Sequence, residues 1–312
     1  MNQVSKDIAA DYEALIIGGG PAGLAAAMAF GRLGRKVLLC DDHQPRNQAS
    51  MHLNNFPGHD GITPEAWRSQ VRAELTKYPT VQLHTDRVAQ VVRAGESFEA
   101  QLLSGAALKT QKVLLAYGVK DQFPVIENLP ALWGQTVVHC PYCHGFEFRA
   151  QPLAVLGDGD MLLHMLALLL GLSPDVIAFS NGPSKLTPEQ QQKIKAQNIQ
   201  LIETPVRKLE HTGSQLEALL LANGERIPRH ALYLLPQLPF GRSAAIGESL
   251  GCQLNDFGWF DVDAFGQTNI PGVYAAGDIA GMHGQSVLNS AASGSMAASR
   301  MIAEILTAKA GF

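Results

Sequence analysis

The chain has 312 residues, 46% of them hydrophobic, enough to bury a full core and to form roughly two domains. A net charge of −4 and a pI near 6.2, without a Lys/Arg-rich stripe, exclude the electrostatic footprint of a nucleic-acid-binding protein. The polar stretch Met1 to Tyr12 lacks the basic flank and apolar run of a signal peptide. The longest apolar run, Met161 to Leu172, is broken by His164 and is shorter than the ~20 residues that span a bilayer. A cytoplasmic protein with neither a nucleic-acid nor a membrane partner is expected.

The run Ala14 to Gly20 predicts a strand ending in a tight turn, and Pro21 to Leu33, with small residues at helical spacing, predicts the helix that follows. A second apolar run, Lys36 to Cys40, completes a unit from Tyr12 to Asp41 that has the ~30-residue size of a βαβ motif with parallel strands. Within it, Gly18-Gly19-Gly20-Pro21-Ala22-Gly23 fits GxGxxG. The first glycine makes the turn, the second lets backbone approach a pyrophosphate, and the third lets helix pack on strand. Free N–H groups at the helix start would then meet the anion. Asp41 ends the second strand close to the ~20-residue spacing at which an acid meets a ribose hydroxyl. An acid there opposes a 2′-phosphate, so FAD or NAD is favoured over NADP at this turn.

Further along, Cys140-Pro141-Tyr142-Cys143 forms a CxxC pair. In a reducing compartment such a pair points to redox chemistry or metal, whereas Cys40 and Cys252 stand alone and are read as packing residues. CxxC geometry at a helix start lowers the pKa of one thiol, and the thiolate is the nucleophile in disulfide exchange. The competing reading is half a zinc site completed by His139 or His144. A second cysteine pair at similar spacing is missing, so redox chemistry is favoured and no metal is expected. His144 is either a proton shuttle, because imidazole titrates near neutrality, or a residue that caps and packs.

Leu153 to Gly182 repeats the opening plan: an apolar run to Leu156, a turn at Gly157 and Gly159, a helix over Met161 to Leu172 and a strand over Val176 to Phe179. Proline- or glycine-rich joints at Ala116 to Pro124 and Pro236 to Gly247 flank this middle region. They predict a discontinuous first domain, 1–117 and 246–312, interrupted by a CxxC-bearing domain, 118–245. Residues 268–279 read as a strand that delivers Gly277-Asp278 to the next helix start, where a carboxylate can accept from the ribityl hydroxyls of a flavin.

The segment TNIPGVYAAGDI at 268–279, together with GGGPAG, Asn55-Phe56-Pro57-Gly58 and CPYC, resembles the pyridine-nucleotide disulfide oxidoreductases. Over nearly the whole chain, split-domain order included, it is similar to the low-molecular-weight thioredoxin reductases. The resemblance implies an α/β fold of two Rossmann-like three-layer nucleotide-binding domains, the first split by the second. It implies FAD contacts at Gly18, Gly20, Pro21, Ala22 and Asp41, with Asn55 near the isoalloxazine and the Val88 backbone at the adenine. Gly277, Asp278 and Gln285-Ser286-Val287 would close the site from the other end. Pro45-Arg46-Asn47 stands where the family has a Gly-Gly-Gln-like loop, with Asn47 kept among the cofactor residues. By the same resemblance Cys143 is the charge-transfer thiol, Cys140 exchanges with substrate sulfurs, and His144 replaces an acidic residue. A homodimer is implied, paired through apolar helices near Met51 to Lys77 and Ser286 to Ala308; His59 and His283 are read as packing residues.

The middle domain departs from the family. Its turn reads Gly157-Asp158-Gly159-Asp160-Met161-Leu162, with Leu162 where a small residue allows close helix packing and two acids where a pyrophosphate would lie. The arginine-rich stretch that binds a 2′-phosphate is replaced by Phe179-Ser180-Asn181-Gly182-Pro183-Ser184-Lys185. This resembles the nicotinamide-independent branches, which include dithiol oxidases of small sulfur metabolites of the gliotoxin type, with a similar Cys-Pro-Tyr-Cys-His-Gly, and reductases fed by ferredoxin or another carrier. The expectation is an FAD-dependent dithiol/disulfide oxidoreductase working without NADPH. Its substrate would be a thioredoxin-like protein or a small dithiol or disulfide, with a carrier protein or oxygen as electron partner. An NADPH-dependent thioredoxin reductase with a degenerate site and a flavin-binding redox sensor are the alternatives.

Overall fold

Residues 11–235, 246–281 and 285–311 are described in the computed structural model. Strand β1 (Asp11–Ile17) is buried from Tyr12 onward, as befits a strand covered on both faces. Helix α1 (Pro21–Arg32) follows, with Pro21 in its first turn, where no N–H is needed. Strand β2 (Val37–Asp41) pairs parallel with β1, Ala14 opposite Val37. Helix α2 (Pro64–Leu75) leads to β3 (Val81–Thr85), parallel to β2. A meander of β4 (Val88–Ala94), β5 (Ser97–Leu102) and β6 (Ala107–Leu115) returns the chain to the sheet, with β6 parallel to β1.

The chain then enters a second plan: α3 (Leu129–Leu132), β7 (Val137–Val138), α4 (Pro141–His144), β8 (Leu153–Leu156), α5 (Gly159–Leu170), β9 (Val176–Phe179), α6 (Pro188–Ala196) and β10 (Gln200–Ile202). An antiparallel trio, β11 (Val206–Thr212), β12 (Gln215–Leu221) and β13 (Arg226–Pro228), precedes β14 (Ala231–Leu234). Helix α7 (Ile246–Ser249), β15 (Val273–Ala275) and α8 (Val287–Ala310) complete the chain.

Contacts divide the described residues into two units. One draws on Met1–Arg46, Glu65–Lys120 and Leu238–Phe312, the other on Asn47–Pro64 and Asp121–Gln237. The segment 47–64 thus packs with the unit that carries the CxxC, unlike the simple split predicted from the joints. The second expected joint lies largely outside the described residues, as do His283 and most of the polar N-terminal stretch.

In the first unit the sheet order is β3-β2-β1-β6-β5-β4, and β15 pairs with the last three residues of β6. Helices α1 and α8 pack on each other over one face. The other face carries a core of Leu15, Ile17, Leu38, Phe98, Leu115 and Phe260. The second unit is also three-layered. Its parallel sheet β10-β9-β8-β14-β7 is covered on one side by α5 and α6, through Leu162, Leu166, Leu169 and Ile194, and on the other by the antiparallel trio, through Leu209, Leu216 and Leu219. These are the two Rossmann-like domains that the motifs predict.

Two local expectations are corrected. Leu162 is fully buried with Val155 and Leu169, so α5 docks through large side chains instead of being obstructed by one. The helix expected within Met51 to Lys77 is confined to α2, because Asn54, Asn55, Pro57, Gly58 and Gly61 break any earlier run. As expected, the strand β15 delivers Gly277 and Asp278 to the start of the next helical element, here the 3-10 turn Gly277–Ile279 that precedes α8. Among the described residues no helix is long and apolar enough to cross a membrane.

Candidate active site

The glycine turn of the first unit is shaped for an anion. Gly18 has φ of 106°, and a Cβ there would lie 2.5 Å from the Ala116 carbonyl oxygen, so backbone conformation and space both require glycine. Gly20 is the N-cap of α1 without a side-chain cap, and a Cβ on it would meet nothing within 4 Å. The helix start therefore opens on free space, the arrangement that receives a phosphate. Pro21 and Ala22 form the first turn. Asp41, expected at a ribose, accepts the Gly19 N–H at 3.0 Å through Oδ1 and the Arg72 guanidinium through Oδ2. It thereby ties the turn to α2, and a carboxylate retains lone pairs beyond these two bonds.

The fold brings the far motif to this turn. A Cβ on Gly277 would sit 3.1 Å from that of Ala22, and at Gly294 the backbone of α8 runs directly against Ala22. Asp278 accepts from Ser290 Oγ at 3.2 Å and from Arg46 Nη1 at 2.8 Å; the same Nη1 lies 2.8 Å from Gln285 Oε1. Ser286 caps α8 by accepting the Asn289 N–H at 3.1 Å, and half-buried Val287 begins that helix. Gln285 Nε2 is buried without a partner among the described residues, a donor that a bound ligand would satisfy. An open helix start, a nearby acid and an orphaned buried donor fit a flavin dinucleotide. Val88 opens β4 with its side chain in the core, just before a register shift. Asn47 and Asn55 belong to the segment that packs with the other unit. Asn55 has a left-handed backbone, φ 61°, and donates its N–H to Asp60 at 2.7 Å.

In the second unit Cys140 and Cys143 form a disulfide, with Cα atoms 5.3 Å apart. Cys140 is the N-cap of the single-turn helix α4, and its carbonyl accepts the N–H groups of Cys143 and His144 at 3.2 Å each. The segment 47–64 buttresses the pair: Asn54 Nδ2 donates to the Cys143 carbonyl at 2.8 Å and to Glu147 at 3.3 Å. Tyr142 and Phe146 remain exposed, the latter with the Arg149 guanidinium 3.8 Å from its ring centroid.

His144 stacks on Phe148 with ring centroids 6.5 Å apart and sets Nε2 3.5 Å from Ser50 Oγ. Ser50 spends its own proton on the His52 carbonyl, 2.8 Å away, so its oxygen can only accept from Nε2–H. Nδ1 is buried and lacks a hydrogen bond of ordinary geometry among the described residues. Burial is the main force lowering the His144 pKa from its ordinary 6.5; His52 adds to it, while Glu147 and a weak pull from the Cys140 carbonyl oppose it. The ring is therefore neutral near neutrality and able to accept a proton. His139 stacks on Trp133 at 5.6 Å, and His59 on Phe56 at 5.8 Å. Among the described residues no three His, Cys, Asp or Glu side chains converge as a metal site.

The nucleotide turn of the second unit is filled by its own acid. Asp158 caps α5, with Oδ1 accepting from Gly159 N–H at 2.8 Å and Ser184 Oγ at 3.1 Å, and Oδ2 accepting the Lys185 N–H at 2.6 Å. The Ser184 N–H goes to Glu203 at 2.8 Å, and Gln190 covers Asp160 at 2.6 Å. Arg46, Ser50, Asn54 and Glu147 were absent from the sequence-derived site. No local motif marks Ser50, Asn54 or Glu147, and Arg46 is marked only by its place in the 45–47 loop; tertiary folding brings all four to their partners.

Two dinucleotide folds, one with an open glycine turn and one bearing a redox disulfide, define a two-domain disulfide oxidoreductase. The chain belongs to the pyridine nucleotide-disulphide oxidoreductase family, which it matches over residues 12–298. It is 31% identical to thioredoxin reductase tcpT of Claviceps purpurea, over 94% of this chain and 95% of that protein. Among solved structures it is similar to HlmI, with a TM-score of 0.90 and 32% identity over 96% of this chain and 94% of that one. It is also similar to an oxidoreductase from Agrobacterium tumefaciens, with a TM-score of 0.87 and 29% identity over 95% and 99%. The thioredoxin reductase-like members of the family, with which it groups, are FAD-binding flavoproteins that act on sulfur groups.

Proposed function

We propose that the protein passes electrons between the Cys140/Cys143 pair and FAD without using NADPH, as a dithiol oxidase or a carrier-linked disulfide oxidoreductase in the cytoplasm. The observation that carries the nicotinamide-independent part is Asp158, whose carboxylate fills the start of α5 and ties down the Lys185 backbone N–H and the Ser184 hydroxyl where a dinucleotide would need donors. An adjacent acid, Glu203, and the missing arginines oppose a 2′-phosphate.

In the oxidase direction, a substrate thiolate attacks Cys140 Sγ, breaking the Cys140–Cys143 bond and leaving Cys143 as thiolate. The second substrate thiol gives its proton to the neutral His144 imidazole and attacks the mixed disulfide. The substrate disulfide closes, and Cys140 is released reduced. When bound at residues 18–22, 41, 277–278 and 285–287, with Asn47, Asn55 and Val88 as further contacts, FAD supplies the two-electron acceptor for the protein dithiol. His144 then returns its proton to solvent or to the final acceptor, which is oxygen or an electron-carrier protein. Substrates of this chemistry are small dithiols or a thioredoxin-like protein, and the working form is a homodimer.

The names of relatives such as tcpT favour a second reading, an NADPH-dependent thioredoxin reductase. Oxygen consumption separates the directions. Supplied with a small dithiol in air, the holoprotein should form one peroxide per disulfide. No oxygen uptake with any dithiol would contradict the oxidase and leave the carrier-linked form.

A further inference from the structure

We infer that Arg46 is a positioning residue of the flavin site, holding Asp278 and the side-chain amide of Gln285 in the orientation that bound FAD uses. This rests on the reading of Asp278 and Gln285 as flavin residues. Arg46 Nη1 lies 2.8 Å from Asp278 Oδ2 and 2.8 Å from Gln285 Oε1. The Arg46 and Asp278 side chains are only 14% and 19% exposed, so salt screens the pair weakly.

A guanidinium can only donate. Gln285 must therefore turn its amide oxygen to Arg46 and its NH2 group away from it, which removes the usual ambiguity of a glutamine amide. That NH2 nitrogen is buried without an acceptor among the described residues. A buried donor left unmatched is costly, and what relieves it is a ligand carrying an acceptor. The pyrimidine-ring carbonyls of the isoalloxazine are such acceptors. The same Arg46 Nη1 anchors Oδ2 of Asp278 while Ser290 holds Oδ1 at 3.2 Å, fixing the carboxylate plane and leaving lone pairs for ribityl hydroxyls. Arg46 stands in the loop where the resemblance implies Gly-Gly-Gln, which offers no cation.

The test is FAD affinity of flavin-stripped protein, read by quenching of flavin fluorescence, with the visible spectrum of the FAD that rebinds. Arg46→Met is expected to weaken FAD about tenfold or more, the scale of one charge-assisted hydrogen bond. Arg46→Lys should recover part of this, because an ammonium keeps the charge and the donors but not the reach and planar orientation of Nη1. Gln285→Leu should also weaken FAD and shift the flavin band. The double variant should lose less than the product of the two single losses, since Arg46 acts partly through Gln285. Wild-type affinity and spectrum in Arg46→Met, or full additivity in the double variant, would overturn the inference. Should Arg46→Met fail to fold, wild-type affinity in Gln285→Leu overturns it equally. Asp278→Ala separates the levels: undiminished FAD affinity there removes the flavin reading itself, whereas loss there with Arg46→Met unaffected removes only the positioning role.

Discussion

Asp158 Oδ2 accepts the backbone N–H of Lys185 at 2.6 Å, which closes the Ser180–Leu186 loop onto the start of α5. The same carboxylate caps the helix at Gly159. Asp158→Ala should therefore lower the unfolding free energy by about 1–2 kcal/mol, as loss of an N-cap does, measured in urea. Flavin content should be unchanged, because the residue belongs to the other dinucleotide fold. Loss of FAD in this variant would contradict the division of roles between the two turns.

Cys143→Ser should keep its yellow flavin and its fold, since neither cysteine belongs to the glycine turn. It should lose dithiol turnover entirely, and Cys140→Ser should lose formation of the mixed disulfide, checked by mass spectrometry after a dithiol is added. Normal turnover in Cys143→Ser would refute the assignment of the pair as the electron path.

Burial lowers the His144 pKa below 6.5, so the ring is a neutral acceptor near neutrality and becomes protonated only at more acid pH. Exchange with dithiol should then slow as pH falls through that lowered value, giving an acid limb below the usual histidine range. The sign for stability is the same. Between the lowered folded value and the ordinary unfolded one, the unfolded chain binds more protons, so stability falls as pH drops through that window. His144→Asn should flatten the acid limb and slow exchange by roughly 100-fold, the scale of general acid–base catalysis. An unchanged limb and rate would make the residue a packing group.

The approach of α8 to α1 leaves no room at Gly294, where a methyl carbon would collide with the Ala22 carbonyl and lie 2.7 Å from its Cα. Both contacts are backbone, so neither can move aside by a rotamer change. Gly294→Ala should cost several kcal/mol, on the order of ~3, as overpacking between rigid elements does. It should also release FAD, because Ala22 is in the turn proposed to hold the cofactor; flavin content and melting temperature would report both.

Much of the scaffold was legible because its signals are local. The strand–glycine–helix of Ala14 to Leu33 and its repeat at Leu153 to Leu172 each declare themselves within one βα unit, and α5 falls where the apolar run predicts it. The supports of the site were not, because their partners are distant: Asn54 meets Cys143 across 89 residues, Ser50 meets His144 across 94, and Arg46 meets Asp278 across 232. Asp278 is legible from its motif, which also places it at a helix start after a strand. Gly277, at φ 76°, turns the chain into a separate 3-10 turn, and α8 begins only after its own cap at Ser286. Leu162 shows the limit of the small-residue pattern at a nucleotide turn, because α5 packs through its leucines.

The central claim is that electrons reach the flavin from a dithiol and not from NADPH. Anaerobic mixing of the holoprotein with NADPH, and separately with a small dithiol, tests it through the oxidised-flavin absorbance. Bleaching by the dithiol with none by NADPH is predicted; fast and complete bleaching by NADPH would contradict the account and restore an NADPH-dependent reductase.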